Sequence, residues 1–206
     1  MFDELSKLKT PTDWGSHQFN VSLSSAFAWY TLGEQHFLAS KVLLMECWYA
    51  KNELYTTYNE VTEFGYGTKE FDVLQKTYFY EPATLLFALS FENFLKGIWL
   101  KQNSKVLNKT GSFPKLLKTH DSKILANKCE IELTKEEEIM LKVLTLYSTW
   151  RGKYIIPLNQ EENIELWESK YPLAFLLKKY PGDFIFPDEV KSLRMKISDK
   201  LNLSLL

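Results

Sequence analysis

A chain of 206 residues, 45% hydrophobic and 25% charged, has enough apolar material to bury one core without disulfides or a structural metal. Its net charge of −1 provides no global attraction to nucleic acid or to an anionic membrane, so any such attraction must come from local patches. The only cysteines, Cys47 and Cys129, lack the spacing of a zinc site and are too few for a disulfide scaffold; two reduced, buried thiols are expected.

Residues 1–22 are polar, with Pro11 and Gly15 and no apolar run, so they read as a lead-in to the fold and not as a signal peptide. The first long helix is expected over Ser24–Leu54. Ala26, Tyr30, Leu38, Val42, Met45 and Tyr49 recur at spacings of three, four or their multiples and form the expected inward stripe, and Gly33 is expected to loosen the early turns. Residues 55–80 are rich in Tyr, Thr and Gly, and Glu63–Gly67 reads as a loop.

A second helix opens at Glu81-Pro82, where proline suits the first helical position, and continues through an almost wholly apolar run to Trp99. The run near Ala83–Leu89 falls short of the ~20 residues needed to span a bilayer, so a cytoplasmic protein without a membrane partner is expected. Glu92 and Lys96 stand four apart in the favourable order. Residues 101–128 carry seven lysines, Lys118 among them, against the single acid Asp121. A short helix is expected from Asp121, with Ile124 and Leu125 inward. Thr134-Lys135-Glu136-Glu137 is a capping box, followed by Met140, Val143, Leu144, Tyr147 and Trp150 on one face, with Gly152 and Pro157 ending the helix. A last helix is expected after Pro187, with Val190, Leu193, Ile197 and Leu201 inward. With no segment alternating convincingly as a strand, the fold class is all-α. It is read as an up-and-down bundle of about five or six helices: a lead-in (1–22), a helical core (23–157) and a C-terminal helical extension packed on it (158–206), together one globular unit.

Four pieces, in order, resemble the HEPN family of small helical bundles. They are Glu92-Asn93-Phe94-Leu95-Lys96-Gly97, His120-Asp121 followed by Leu125, the capped Thr134–Glu137 start, and Trp150-Arg151-Gly152-Lys153-Tyr154-Ile155-Ile156-Pro157. The resemblance covers Ala83–Pro157 well and residues 1–20 and 158–206 not at all. It implies a HEPN-like bundle and a homodimer, with RNA, a nucleotide or a partner protein as ligand, in bacterial antiviral defence or a toxin–antitoxin pair. Catalytic members carry an arginine, four to six residues, then a histidine. No histidine lies in that window after Arg151 or after Arg194, the only two arginines, and Lys153 stands where the similar subgroup has arginine.

The candidate site residues follow from these motifs. Arg151, Lys153 and Tyr154 could hold a phosphate while a ring stacks on a base, or could simply end a helix where cations are favoured. Lys118 and the other lysines of 101–128 could follow an RNA backbone or form a solvated loop. His120 could act as a base, beside a helix cap at Asp121. Glu92, Lys96, Asp121, Thr134, Glu137 and Trp150 read as structural. His17 and His36 have no ligand-like neighbours, so no metal is expected, and no nucleotide-loop or nucleophile-elbow motif calls for a cofactor. The expectation is a non-catalytic binding or dimerisation module. The alternatives are a degenerate metal-independent endoribonuclease using His120 and Arg151, and a structural subunit of a larger complex.

Overall fold

The computed structural model describes residues 25–58, 79–104, 114–151 and 186–202. These are all-helical. They form α1 (Ala26–Tyr58), α2 (Tyr80–Gln102), a 3-10 turn (Lys115–Lys118), α3 (Ser122–Lys128), α4 (Lys135–Leu146) running into a π-helical turn (Tyr147–Arg151), and α5 (Asp188–Leu201).

Helix α2 is the axis of the fold. Nearly every residue from Phe87 to Leu100 is buried, as its all-round apolar sequence requires. Alone among the described helices it is long and apolar enough to cross a bilayer, yet the protein's own interior covers it. Helix α1 lies antiparallel along it. Ser40 Oγ donates to the Ala83 carbonyl at 2.8 Å, Gly33 faces Phe94 and Ser90, and Gly97 faces the Ala26 carbonyl. Small residues at these contacts bring the two backbones close. Gly33 is therefore a packing residue within a continuous helix, and the expected loosening is absent.

The expected inward stripe of α1 is corrected as well. Leu38, Val42 and Tyr49 are 57%, 60% and 46% exposed, whereas Phe37, Ser40, Leu44, Cys47 and Trp48 are buried. Alpha-helical spacing fits apolar residues on either face of α1. Which face docks is decided by the small residues that allow close approach, a property the apolar pattern does not carry.

Local signals set the other ends. The Asp121 carboxylate accepts the Ile124 N–H at 2.9 Å and caps α3. Within α3 the inward residues are Leu125 and Ala126, while Ile124, expected inward, is 46% exposed. The α3 C-terminus is closed by paired bonds, Glu130 N–H to Asn127 O and Ile131 N–H to Ala126 O, with Glu130 left-handed at φ 54° and Ile131 buried beneath. Both arms of the Thr134–Glu137 capping box are present at the start of α4. Met140, Val143, Leu144 and Tyr147 are buried along one side of α4 and its π turn. Helix α5 completes the core with Val190, Leu193, Ile197 and Leu201. Residues 1–22 and 158–185, and the Gly152 and Pro157 stop signals, lie outside the described residues.

Candidate functional site

The most unusual chemistry sits on the central helix. Glu92 and Lys96 are one turn apart on α2, both with side chains only 5% exposed, and Lys96 Nζ donates to Glu92 Oε1 at 2.5 Å. Desolvating two charges is costly, and the pair is tolerable because each neutralises the other and further partners complete it. Trp29 of α1 lays its ring 5.4 Å from Lys96 Nζ. The second Glu92 oxygen, Oε2, lies 3.0 Å from Nδ1 of His120, whose side chain is 41% exposed. The short extended segment between the 3-10 turn and the Asp121 cap delivers His120 to this point.

A second imidazole approaches from α1. Asn93 Nδ2 donates to His36 Nδ1 at 3.1 Å, an arrangement that suits a neutral ring carrying its proton on Nε2. Burial holds the His36 pKa below its ordinary value, although the nearby Glu92 carboxylate pulls the other way. Glu92 thus lies between histidines from two different segments. Sequence reasoning missed this part of the cluster, because no motif links His36 to Asn93.

The chemical capacity of the cluster rests on His120. Its Nδ1 faces a fixed carboxylate, which orients the ring, and no partner for Nε2 occurs among the described residues. An imidazole oriented in this way can donate to an anion when protonated, or accept a proton when neutral.

The other expected site residues divide into groups. Lys118 is exposed on the 3-10 turn, two positions before His120, and Lys115 is exposed on the same turn. The Ser122 N–H donates to Thr145 Oγ1 at 3.0 Å, which ties the start of α3 to the last turn of α4. Just beyond that turn begins the π-helical segment ending at Arg151. The His120-Asp121 and Trp150-Arg151 motifs are therefore carried by adjoining backbone segments, although the Trp150 and Arg151 side chains, with Lys153 and Tyr154, lie outside the described residues.

Several charged residues turn out to be structural clamps. Glu137 serves the capping box and also binds α5: its Oε2 accepts Lys196 Nζ at 2.6 Å and its Oε1 accepts Ser192 Oγ at 2.8 Å. Burial would raise the Glu137 pKa, but the hydrogen bonds from Lys196, the Thr134 N–H and Ser192, with the Lys196 charge, outweigh it and hold the pKa below the usual value. Arg194 binds Glu34 at 2.6 Å and covers the Phe37 ring at 4.0 Å, so one of the two arginines is committed to joining α5 to α1. Lys101 reaches the carbonyls ending α5, and Lys123 pairs with Glu138 at 2.8 Å, so both have partners within the fold.

The buried thiols Cys47 and Cys129 are pushed by burial to pKa values of about 11 and about 12. No group of three or more metal-ligating side chains occurs among the described residues. Comparison with protein-family models, curated proteins and solved structures finds no match.

Proposed function

We propose that this chain is a HEPN-like helical module that binds RNA without cleaving it, through the end of the bundle that carries His120. The supporting observation is the His120–Glu92 contact: a buried carboxylate, already neutralised by Lys96, orients a half-exposed imidazole towards solvent. Exposed Lys115 and Lys118 lie on the 3-10 turn just before the imidazole, and the segment ending at Arg151 begins shortly after Thr145, which accepts the Ser122 N–H. Clustered cations beside an orientable donor are what a phosphate backbone requires. The sequence argues against cleavage, since neither arginine is followed by a histidine at the ribonuclease spacing.

The same contact favours one second reading, a metal-independent endoribonuclease. There His120 Nε2 would take the ribose 2′-hydroxyl proton while Arg151 steadies the phosphate charge.

One experiment separates the two. Fluorescence anisotropy with labelled single-stranded RNA compares wild type with Lys118→Ala, His120→Ala and Arg151→Ala over a range of salt, and the same samples are run for cleavage. Binding that weakens with salt and in all three variants, with the RNA intact, supports the module. Cleavage lost in His120→Ala and Arg151→Ala establishes the nuclease. Wild type that neither binds nor cuts overturns both.

A further inference from the structure

Two imidazoles approach the Glu92–Lys96 pair, and they meet opposite partners at the same ring atom. His36 Nδ1 accepts from the Asn93 amide, which places its proton on Nε2 and suits a neutral ring. Burial of His36 acts in the same direction. His120 Nδ1 meets the Glu92 carboxylate instead. A carboxylate can only accept, so His120 Nδ1 carries a proton whether its ring is neutral or charged. All of the change on titration therefore falls on Nε2. In the neutral ring that atom presents a lone pair, and in the imidazolium it presents an N–H.

Nε2 decides how this end of the bundle treats a phosphate. A phosphodiester oxygen is a charged acceptor, so a lone pair repels it and a positively charged N–H holds it strongly. The groups around the ring support the charged form of His120 alone. On α2, Lys96 occupies Glu92 Oε1, so Oε2 serves the imidazole in either state. From α1, His36 faces the same carboxylate as a neutral ring. On the segment of His120 itself, Lys115 and Lys118 are exposed cations, and the Asp121 carboxylate is engaged in capping α3. Lys123 of α3 is paired with Glu138 of α4, and α4 meets the start of α3 through the uncharged Thr145.

We infer, resting on the RNA-binding reading above, that RNA bound at this end of the bundle is held by the protonated His120 ring, so that binding takes up a proton on Nε2 and affinity falls as pH rises. Glu92 is the residue that fixes this direction, because it keeps Nδ1 protonated and leaves Nε2 as the only atom that changes. The direction also separates binding from chemistry at the same atom. A base that removes the ribose 2′-hydroxyl proton needs the neutral ring, so cleavage would rise with pH over the range where binding falls.

The test uses the full chain and a labelled uridine oligomer, whose bases do not titrate near neutral pH. Affinity is followed by fluorescence anisotropy at constant salt from about pH 5.5 to about pH 8.5, across the ordinary imidazole range. Proton uptake is measured by calorimetry in two buffers of different ionisation heat. Wild type is expected to lose affinity about tenfold over the range, the worth of one charge-assisted hydrogen bond, and to take up protons on binding. His120→Gln keeps a donor that does not titrate, so its affinity should be flat with pH and its binding should take up no proton. His120→Arg keeps the charge throughout and should bind at about pH 8.5 as tightly as at about pH 5.5. If one variant fails to fold by circular dichroism, the other decides. Wild-type affinity that is flat or rises with pH, binding without proton uptake, or a slope that persists in the variants overturns the proton link and leaves the RNA-binding reading standing. Wild type that binds the oligomer at no pH overturns that reading and the proton link with it.

Discussion

His120 Nδ1 lies 3.0 Å from Glu92 Oε2 across 28 residues of sequence, and this contact joins a surface imidazole to a charge pair buried in the central helix. Its consequences differ for the three residues, because only Glu92 and Lys96 have lost their contact with water.

Removing one buried partner strands the other. Glu92→Ala or Lys96→Ala is expected to cost about 3–5 kcal/mol, because each leaves an uncompensated charge in the interior. The double variant Glu92→Gln with Lys96→Met removes both charges at similar volume and should lose much less than the sum of the two single changes. His120→Ala, at a half-exposed position, is expected to cost about 1 kcal/mol. Urea denaturation of wild type, Glu92→Gln, Lys96→Met and the double variant forms a double-mutant cycle, with the two alanine variants and His120→Ala measured beside it. Additive losses at Glu92 and Lys96 would show that the pair is not coupled.

The elements most legible in the sequence were those specified by neighbours in the chain. Thr134 and Glu137, three residues apart, form the capping box, Asp121 caps α3, and Glu92 pairs with Lys96 one turn on. Long-range geometry was not legible. Glu137 looked like a local cap, but it also holds Lys196 and Ser192 of α5, more than fifty residues away. Arg194 drew attention for its scarcity, whereas its partner Glu34 is 160 residues distant and no motif links them. The α1 stripe was misread because Leu38, Val42 and Tyr49 have the same period as the face that docks. His120 was marked as a candidate, but its carboxylate partner Glu92 became visible only when the segment after the 3-10 turn placed it against α2.

Two groups make stability depend on pH in the same direction. The folded-state pKa of Glu137 lies below the ordinary carboxylate value of 4.5, so the unfolded chain binds a proton more readily there. Its contribution is present above the unfolded value and is lost as pH falls through the lower folded one. His36 is likewise depressed below 6.5, chiefly by burial, so its contribution is present above 6.5 and lost on acidification below it. The thermal midpoint should therefore begin to fall below pH 6.5 and fall more steeply below 4.5. Glu137→Gln should be less stable at neutral pH, with a shallower acid limb. A midpoint that rises between pH 6.5 and 4 in wild type would contradict both assignments.

The close approach of α1 to α2 leads to a different test. An added Cβ at Gly33 would sit 2.5 Å from Phe94 Cδ1 and 3.1 Å from the Ser90 carbonyl. The Phe94 ring has little room to yield: it is 1% exposed and held between Tyr30 and Phe91 at centroid distances of 5.5 and 6.0 Å. Gly33→Ala should gain helix propensity of roughly 1 kcal/mol. It should still lose about 1–3 kcal/mol net to overpacking. At Gly97 the tightest neighbour is the Ala26 carbonyl at 3.0 Å, in the first turn of α1. A helix end can shift by a few tenths of an ångström more easily than a wedged ring, so Gly97→Ala should be the milder change. Urea midpoints of the two variants measure the order directly. A Gly33→Ala protein at least as stable as wild type would mean that Gly33 does not set the register of α1 on α2. The choice between the two apolar faces of α1 would then have to rest on Ser40 and its bond to the Ala83 carbonyl.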